Sequence, residues 1–423
     1  MRSRTSFFQS ALLLSGFFGC LQIRQHHDVV TGIQSATEAT APPPVPNGTP
    51  SACVGKEKFL EIVRALNDTT INEALQCRAA PLWSETTSLY GETPVVIGLE
   101  TCEAYRKLLN GSQSLPKVAG LYNSGTNALS RLLELNLVHP DTHNSTGSSL
   151  EETPYSTVPW DKHRLAKYRD SFTLEQEKHV PKDLVLPLVI VRDPYRWMQS
   201  MCKVPYDVKW KRSTSHCPNL VVTALDRARL KSFATLSTPT ATLAPPNSTT
   251  DEYPTLIDLY LDWYQQYLDA PYPRLLIRYE DLLLHAEQIV SAIANCTGME
   301  EKQPFRYRVH AAKAHGKSAN YLEALLKYSQ ENGRYGRMLR EDLDYVERVI
   351  PEEFLRLFHY RHAPSGYVPP TPKTPMKRPT SSSSISYTMT KMLEDSALRS
   401  RWSAIADQKR KRLEQLRSRQ RKG

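Results

Sequence analysis

Val118-Ala119-Gly120-Leu121-Tyr122-Asn123-Ser124-Gly125-Thr126-Asn127-Ala128-Leu129 is the stretch that decides the fold. Its first residues are apolar and strand-like, Tyr122 to Thr126 make a polar turn, and Ala128, Leu129, Leu132, Leu133 and Leu135 follow at helical spacing. A strand that turns directly into a helix aims backbone N–H groups and the positive end of the helix dipole at the turn, so the loop is an anion site by geometry. Gly120 and Gly125 have the spacing of a nucleotide triphosphate loop, but Thr126-Asn127 stands where such a loop carries Lys-Ser/Thr. That argues against an ATPase, a GTPase or a P-loop kinase. Alone, the motif also fits a tight turn that binds nothing.

Outward from the loop, Leu184 to Val191 is an almost unbroken apolar run that reads as a central buried strand, with Pro187 as the one objection. It ends in Arg192-Asp193-Pro194, and Ser200 lies two helical turns further on. An Arg at the strand end and a Ser at that spacing can reach one phosphate, the guanidinium supplying paired charged donors. The plainer alternative is an Arg–Asp surface pair and an exposed Ser. Thr255 to Leu268 has helical periodicity, and Arg274 to Tyr279 is a third strand leading into Glu280-Asp281. Strands alternating with helices predict an α/β domain, a P-loop-like parallel sheet flanked by helices.

Taken together and in this order, the segments resemble the PAPS-dependent sulfotransferase family, in its membrane-anchored, Golgi-type form. Ser124-Gly125-Thr126 is similar to the family's 5'-phosphosulfate loop, Arg192-Asp193-Pro194 with Ser200 to its 3'-phosphate motif, and Arg278-Tyr279-Glu280-Asp281-Leu282 to its Tyr-Glu-Asp-Leu segment. The resemblance covers about 117 to 360. It implies the sulfotransferase fold and 3'-phosphoadenosine 5'-phosphosulfate (PAPS) as co-substrate, with no metal. On it, Asn123, Ser124, Gly125, Thr126 and Asn127 hold the 5'-phosphosulfate, and Arg192 and Ser200 hold the 3'-phosphate. Lys313 to Ser318 looks like the family's late cofactor loop, or is a solvated loop.

One departure bears on chemistry. The family has a Lys or Arg just before the loop Ser-Gly, where this chain has Asn123, which donates a hydrogen bond but carries no charge. Lys162 is the expected substitute cation. Its neighbour His163 is the expected base, because an imidazole near neutral pKa can take a proton from an acceptor hydroxyl. Glu175 and Glu177 are fallback bases. A structural or exposed His163 is the plainer alternative.

The rest of the chain predicts placement. Arg2 and Arg4 precede an apolar run from Phe7 to Ile23, expected to be an uncleaved signal anchor rather than a cleaved signal peptide, since no small-x-small site follows. The expected division is a cytosolic tail at 1–6, the anchor at 7–23, a Pro-rich stem at 24–50, a cysteine-containing lumenal region at 51–114, the sulfotransferase domain at 115–365 and a Pro/Ser-rich linker with a basic tail at 366–423. Six N-x-S/T sequons, at Asn47, Asn67, Asn110, Asn144, Asn247 and Asn295, agree with a lumenal body. So do six cysteines beyond Cys20; Cys202 and Cys217 bracket a short polar loop and are the expected pair, while Cys53, Cys77, Cys102 and Cys296 are not assignable from sequence. The expected location is a Golgi membrane, single-pass type II.

The net charge of +10 is concentrated beyond Tyr387, leaving the body near balance, so a nucleic-acid groove is not implied. The basic tail reads as a solvated helix, a polyanion-binding arm or a partner-binding helix. Sulfuryl transfer to a hydroxyl or amine of a glycan or polysaccharide acceptor is the expected activity. A protein-tyrosine sulfotransferase and a catalytically silent, anchored glycan-binding protein are the alternatives.

Overall fold

The computed structural model describes residues 53–67, 73–138, 155, 157–171, 181–212, 216–229, 240–243, 250–309, 320–331 and 333–369. The anchor, the stem, the basic tail, Glu175, Glu177 and the 313–318 loop lie outside them. Among the described residues no helix is long and apolar enough to cross a membrane. The strands are β1 (Val96–Ile97), β2 (Leu115–Ala119), β3 (Val185–Val191), β4 (Val208–Trp210), β5 (Ala241–Leu243), β6 (Asp251–Tyr253) and β7 (Leu275–Arg278). The helices that matter below are α1 (Glu57–Ala65), α2 (Cys102–Leu109), α3 (Thr126–Asn136), α4 (Pro194–Lys203), α5 (Leu256–Leu268), α6 (Ala286–Thr297), α7 (Tyr321–Tyr328) and α8 (Arg340–Val349).

β3 is buried along its whole length, and its side chains divide between two cores. Val189 and Val191 join one with residues of α4, α5 and α8, while Leu188 and Ile190 join the other with residues of α2, α3 and α6. Alternation along a strand sends successive side chains to opposite faces, so an all-apolar strand requires cover on both sides. The architecture is therefore α/β, helices flanking a central sheet.

The sheet order is β1-β7-β3-β2. β2, β3 and β7 are parallel, with Val118 beside Leu188 and Leu188 beside Leu275. The expected purely parallel sheet is corrected at one edge, where β1 runs antiparallel to β7. Helical crossovers enforce parallel pairing, and none joins β1 to β7. The Asp281 carboxylate instead pins the start of β1, accepting from the Val95 N–H at 2.9 Å. A second, antiparallel sheet has the order β4-β5-β6. Pro187 sits inside β3, one residue before the stretch that pairs with β7.

The parallel strands end together at Ala119, Val191 and Arg278, and each is followed by one of the quoted motifs. Chain reversals at strand C-termini are where open α/β sheets hold ligands. Asp193 caps α4, its Oδ1 accepting from the Arg196 N–H at 3.0 Å, with Pro194 at the first helical position. The Arg278 fork grips Asp281 at 2.6 and 2.7 Å and donates to the Tyr90 and Phe358 carbonyls at 2.7 and 3.0 Å. That motif therefore fastens remote chain segments to the sheet. All six described cysteines pair: Cys53–Cys77, Cys102–Cys296 and Cys202–Cys217.

Candidate functional site

β2 is an edge strand, and residues 155 and 157–163 run along its open side. Val158 N–H donates to Val118 O at 3.2 Å, and Gly120 N–H donates to Lys162 O at 2.8 Å. This backbone pairing brings Lys162 and His163 to a loop about 40 residues earlier in the chain. Lys162 Nζ reaches Asn127 Oδ1 at 3.2 Å, in the first turn of α3. The N–H groups of Thr126 and Asn127, at that helix start, have no intrahelical acceptors.

Within the loop, backbone and side chains do different work. Gly125 takes φ +112°, and a Cβ there would stand 2.3 Å from the Tyr279 ring, so both conformation and space demand glycine. Ser124 is 0% exposed; its Oγ faces Gly120 beside Tyr264, whose hydroxyl donates to Ile190 O at 3.0 Å, and it is left without a hydrogen bond of good geometry. The Asn123 amide turns away from the loop, donating to Val204 O at 2.7 Å and Met201 Sδ at 3.1 Å. Asn123 and Ser124 thus shape the loop with their side chains rather than offering them at its mouth.

Arg192 follows β3 and is only 6% exposed. One guanidinium nitrogen donates to the Asn123 carbonyl, and the rings of Tyr279 and Tyr328 lie 5.3 and 5.1 Å away. Its Nε has no hydrogen-bond partner, and among the described residues it forms no ion pair. The nearby carboxylates are engaged elsewhere. Asp193 pairs with Arg334 at 2.7 Å, and Glu280 accepts from Tyr360 Oη at 2.8 Å and from the Asp193 N–H at 3.2 Å. Burial pushes the Arg192 pKa down, the sign of a desolvated charge without a full counterion. Arg196 and Lys327 also lie over Tyr328, at 5.4 Å each, so three cations surround one ring.

Ser200, 8% exposed, has no hydrogen-bond partner for its hydroxyl among the described residues. On α4 it shares a stripe with Trp197, Met201 and Val204, the residues that meet the loop: Trp197 Nε1 donates to Tyr122 O at 2.8 Å, and Met201 and Val204 receive Asn123. The structure therefore brings Arg192, Lys162 and His163 to the loop, and sets Ser200 on the stripe of α4 whose other residues meet it.

His163 Nδ1 lies 2.6 Å from Gly120 O. A carbonyl only accepts, which assigns the proton to Nδ1 and leaves Nε2 with its lone pair. Burial first, then the Lys162 charge, push the imidazole down to about 3, while the Gly120 carbonyl and Asp207 oppose the shift. The near-neutral pKa expected of this imidazole is thus corrected: desolvation keeps the ring neutral at physiological pH, and it packs on Tyr122 with centroids 4.0 Å apart.

Sequence reasoning missed the tyrosines around Arg192 and the Tyr122–Asp207 contact at 2.7 Å, because their partners lie some 85 residues or more away and leave no local pattern. It also missed His216, which is fully buried between Asp342 and Asp226 at 2.7 and 2.9 Å. These two carboxylates raise its pKa against the lowering effect of burial, and the trio joins the Cys217 loop to α8.

No family model matches the chain, and neither does any curated protein or solved structure.

Proposed function

We propose that the chain transfers a sulfuryl group from PAPS to a hydroxyl or amine of an acceptor, a glycan above all, using a sulfotransferase-type P-loop fold. The observation that carries the reading is Arg192, a buried guanidinium that forms no ion pair among the described residues and is tied to the loop through the Asn123 carbonyl. A buried cation without a carboxylate is costly unless an anion completes it. Arg192 Nε, buried without a hydrogen-bond partner, fits a phosphate-bearing ligand at this edge.

In this reading Arg192 and Ser200 hold the 3'-phosphate, while the N–H groups of Gly125, Thr126 and Asn127 hold the 5'-phosphosulfate. PAPS, when bound, supplies the sulfuryl group. Lys162, held at Asn127, places the positive charge that Asn123 lacks beside the loop. His163 Nε2 takes the acceptor proton, and the Gly120 carbonyl orients the ring. Three disulfides and the sequons support an oxidising, lumenal setting, and with the apolar run at 7–23 they motivate placement as a type II Golgi membrane protein.

The test is calorimetric binding of 3'-phosphoadenosine 5'-phosphate to the full chain, wild type beside Arg192→Ala. Saturable binding lost in the variant supports the cofactor reading. No binding by folded wild type sinks it, and a preference for ATP points to a kinase. Binding without transfer to any glycan or peptide identifies the silent binder.

A further inference from the structure

Three non-glycine residues in the left-handed region, Asn123 (φ 62°), Asp161 (φ 77°) and Tyr206 (φ 52°), lie in the three segments that meet around the Tyr122 and His163 rings. Asn and Asp adopt that conformation readily, whereas a bulky aromatic does so only when its surroundings impose it. Backbone strain of this kind clusters at functional sites. The Tyr206 ring is not spent on a core: the residue is 37% exposed, and its hydroxyl has no hydrogen-bond partner among the described residues. Its ring stacks on Tyr122 with centroids 5.2 Å apart and planes within 14°. Tyr122 in turn packs on His163, so an aromatic strip runs from the candidate base to the surface.

We infer that Tyr206 is an acceptor platform at the outer end of this strip: its ring stacks on the C–H face of a neutral pyranose that neighbours, within an oligosaccharide, the sugar whose hydroxyl reaches His163. The inference rests on the sulfuryl-transfer reading and names its substrate class. Charge selects the occupant. Asp207 receives the Tyr122 hydroxyl at 2.7 Å, and Asp161, exposed at the surface, accepts from the His163 N–H at 3.1 Å. Of the neighbouring cations, Lys162 is directed to Asn127 and Arg164 lies over the Tyr168 ring at 5.0 Å. Two carboxylates beside an aromatic face accept sugar hydroxyl protons and repel an acidic peptide or a uronate. Aromatic rings suit this role because one face is apolar while the edge and tip stay wet.

The experiment is calorimetric titration of the full chain, wild type, Tyr206→Ala and Tyr206→Phe, with cellotetraose, mannotetraose, di-N-acetyllactosamine and an acidic tyrosine peptide. Each protein is also titrated with 3'-phosphoadenosine 5'-phosphate. The expected result is wild-type binding of at least one neutral sugar, weakened about tenfold or more by Tyr206→Ala, kept within about twofold by Tyr206→Phe, and nucleotide affinity equal in all three. Equal sugar binding by wild type and Tyr206→Ala, preference for the peptide, or binding of none of the sugars overturns the inference. Failure of wild type to bind the nucleotide while sugar binding still depends on Tyr206 overturns the cofactor reading instead. A Tyr206→Gly variant guards against misfolding: relief of the left-handed strain should leave its Tm at or above that of wild type while sugar binding falls.

Discussion

Lys162 Nζ stands 3.2 Å from Asn127 Oδ1, so a cation from one segment meets the helix start that another segment builds. Nothing in the loop itself supplies that charge, because Asn123 faces Met201 and Val204. Lys162→Met should therefore slow sulfuryl transfer while changing nucleotide affinity less, a loss in kcat larger than in KM. The check is steady-state kinetics with the nucleotide varied. An unchanged kcat would remove Lys162 from the chemistry.

Arg192→Met separates function from stability. Among the described residues the buried guanidinium has no ion pair, so an apolar side chain of similar length should leave the unfolding free energy equal or higher. Affinity for 3'-phosphoadenosine 5'-phosphate should fall about 10- to 100-fold, the worth of charged hydrogen bonds of ~1.5–3 kcal/mol. Urea unfolding and calorimetry measure the two effects. A marked loss of stability would mean that Arg192 serves the core rather than a ligand.

Gly125→Ala should destabilise the chain by about 2 kcal/mol or more and abolish nucleotide binding. It adds left-handed strain at φ +112° and forces a Cβ to within 2.3 Å of the Tyr279 ring. Denaturant midpoints check this, with Gly111→Ala as a control: its φ is also positive, at +85°, but nothing lies within 4 Å of the added Cβ.

Two buried groups give opposite pH slopes. Burial holds Glu280 up at about 7 from an ordinary 4.5. The native state thus keeps a proton that the unfolded chain releases, and this group's contribution is full below 4.5 and lost as pH rises through 7. Glu280→Gln should flatten that loss, since the amide oxygen can still accept from the Asp193 N–H while the NH2 group donates to the Tyr360 hydroxyl. His163 acts the other way: with its pKa down at about 3, its contribution is full above 6.5 and lost as pH falls toward 3. Stability curves of wild type, Glu280→Gln and His163→Gln between pH 4 and 8 test both signs. The same shift predicts that kcat/KM shows no acid limb near 6.5 from His163.

The Cys102–Cys296 bridge closes 194 residues, against 15 for Cys202–Cys217. On chain-entropy grounds removing the first should cost about 5 kcal/mol and the second about 3. Paired Cys→Ser variants compared by denaturant unfolding give the order, and a reversed order would show that strain or residual structure dominates.

The alternation of apolar runs and turn chemistry was enough to read the α/β class, the positions of β2, β3 and β7, the loop at 120–127 and the Cys202–Cys217 pair. Those features rest on neighbours in sequence: burial of an all-apolar strand, the conformational freedom of Gly125, and a short loop between two cysteines. The antiparallel direction of β1, the small second sheet and the Cys102–Cys296 pair depend on contacts between distant segments, which periodicity does not encode. The candidate site divides in the same way. Arg192 and Ser200 are legible because strand and helix geometry fix their spacing. That Asn123 turns away, that the open edge of β2 delivers Lys162 and His163, that Tyr279 and Tyr328 flank Arg192, and that Tyr206 stacks on Tyr122, was decided only when backbone pairing and packing brought these segments together.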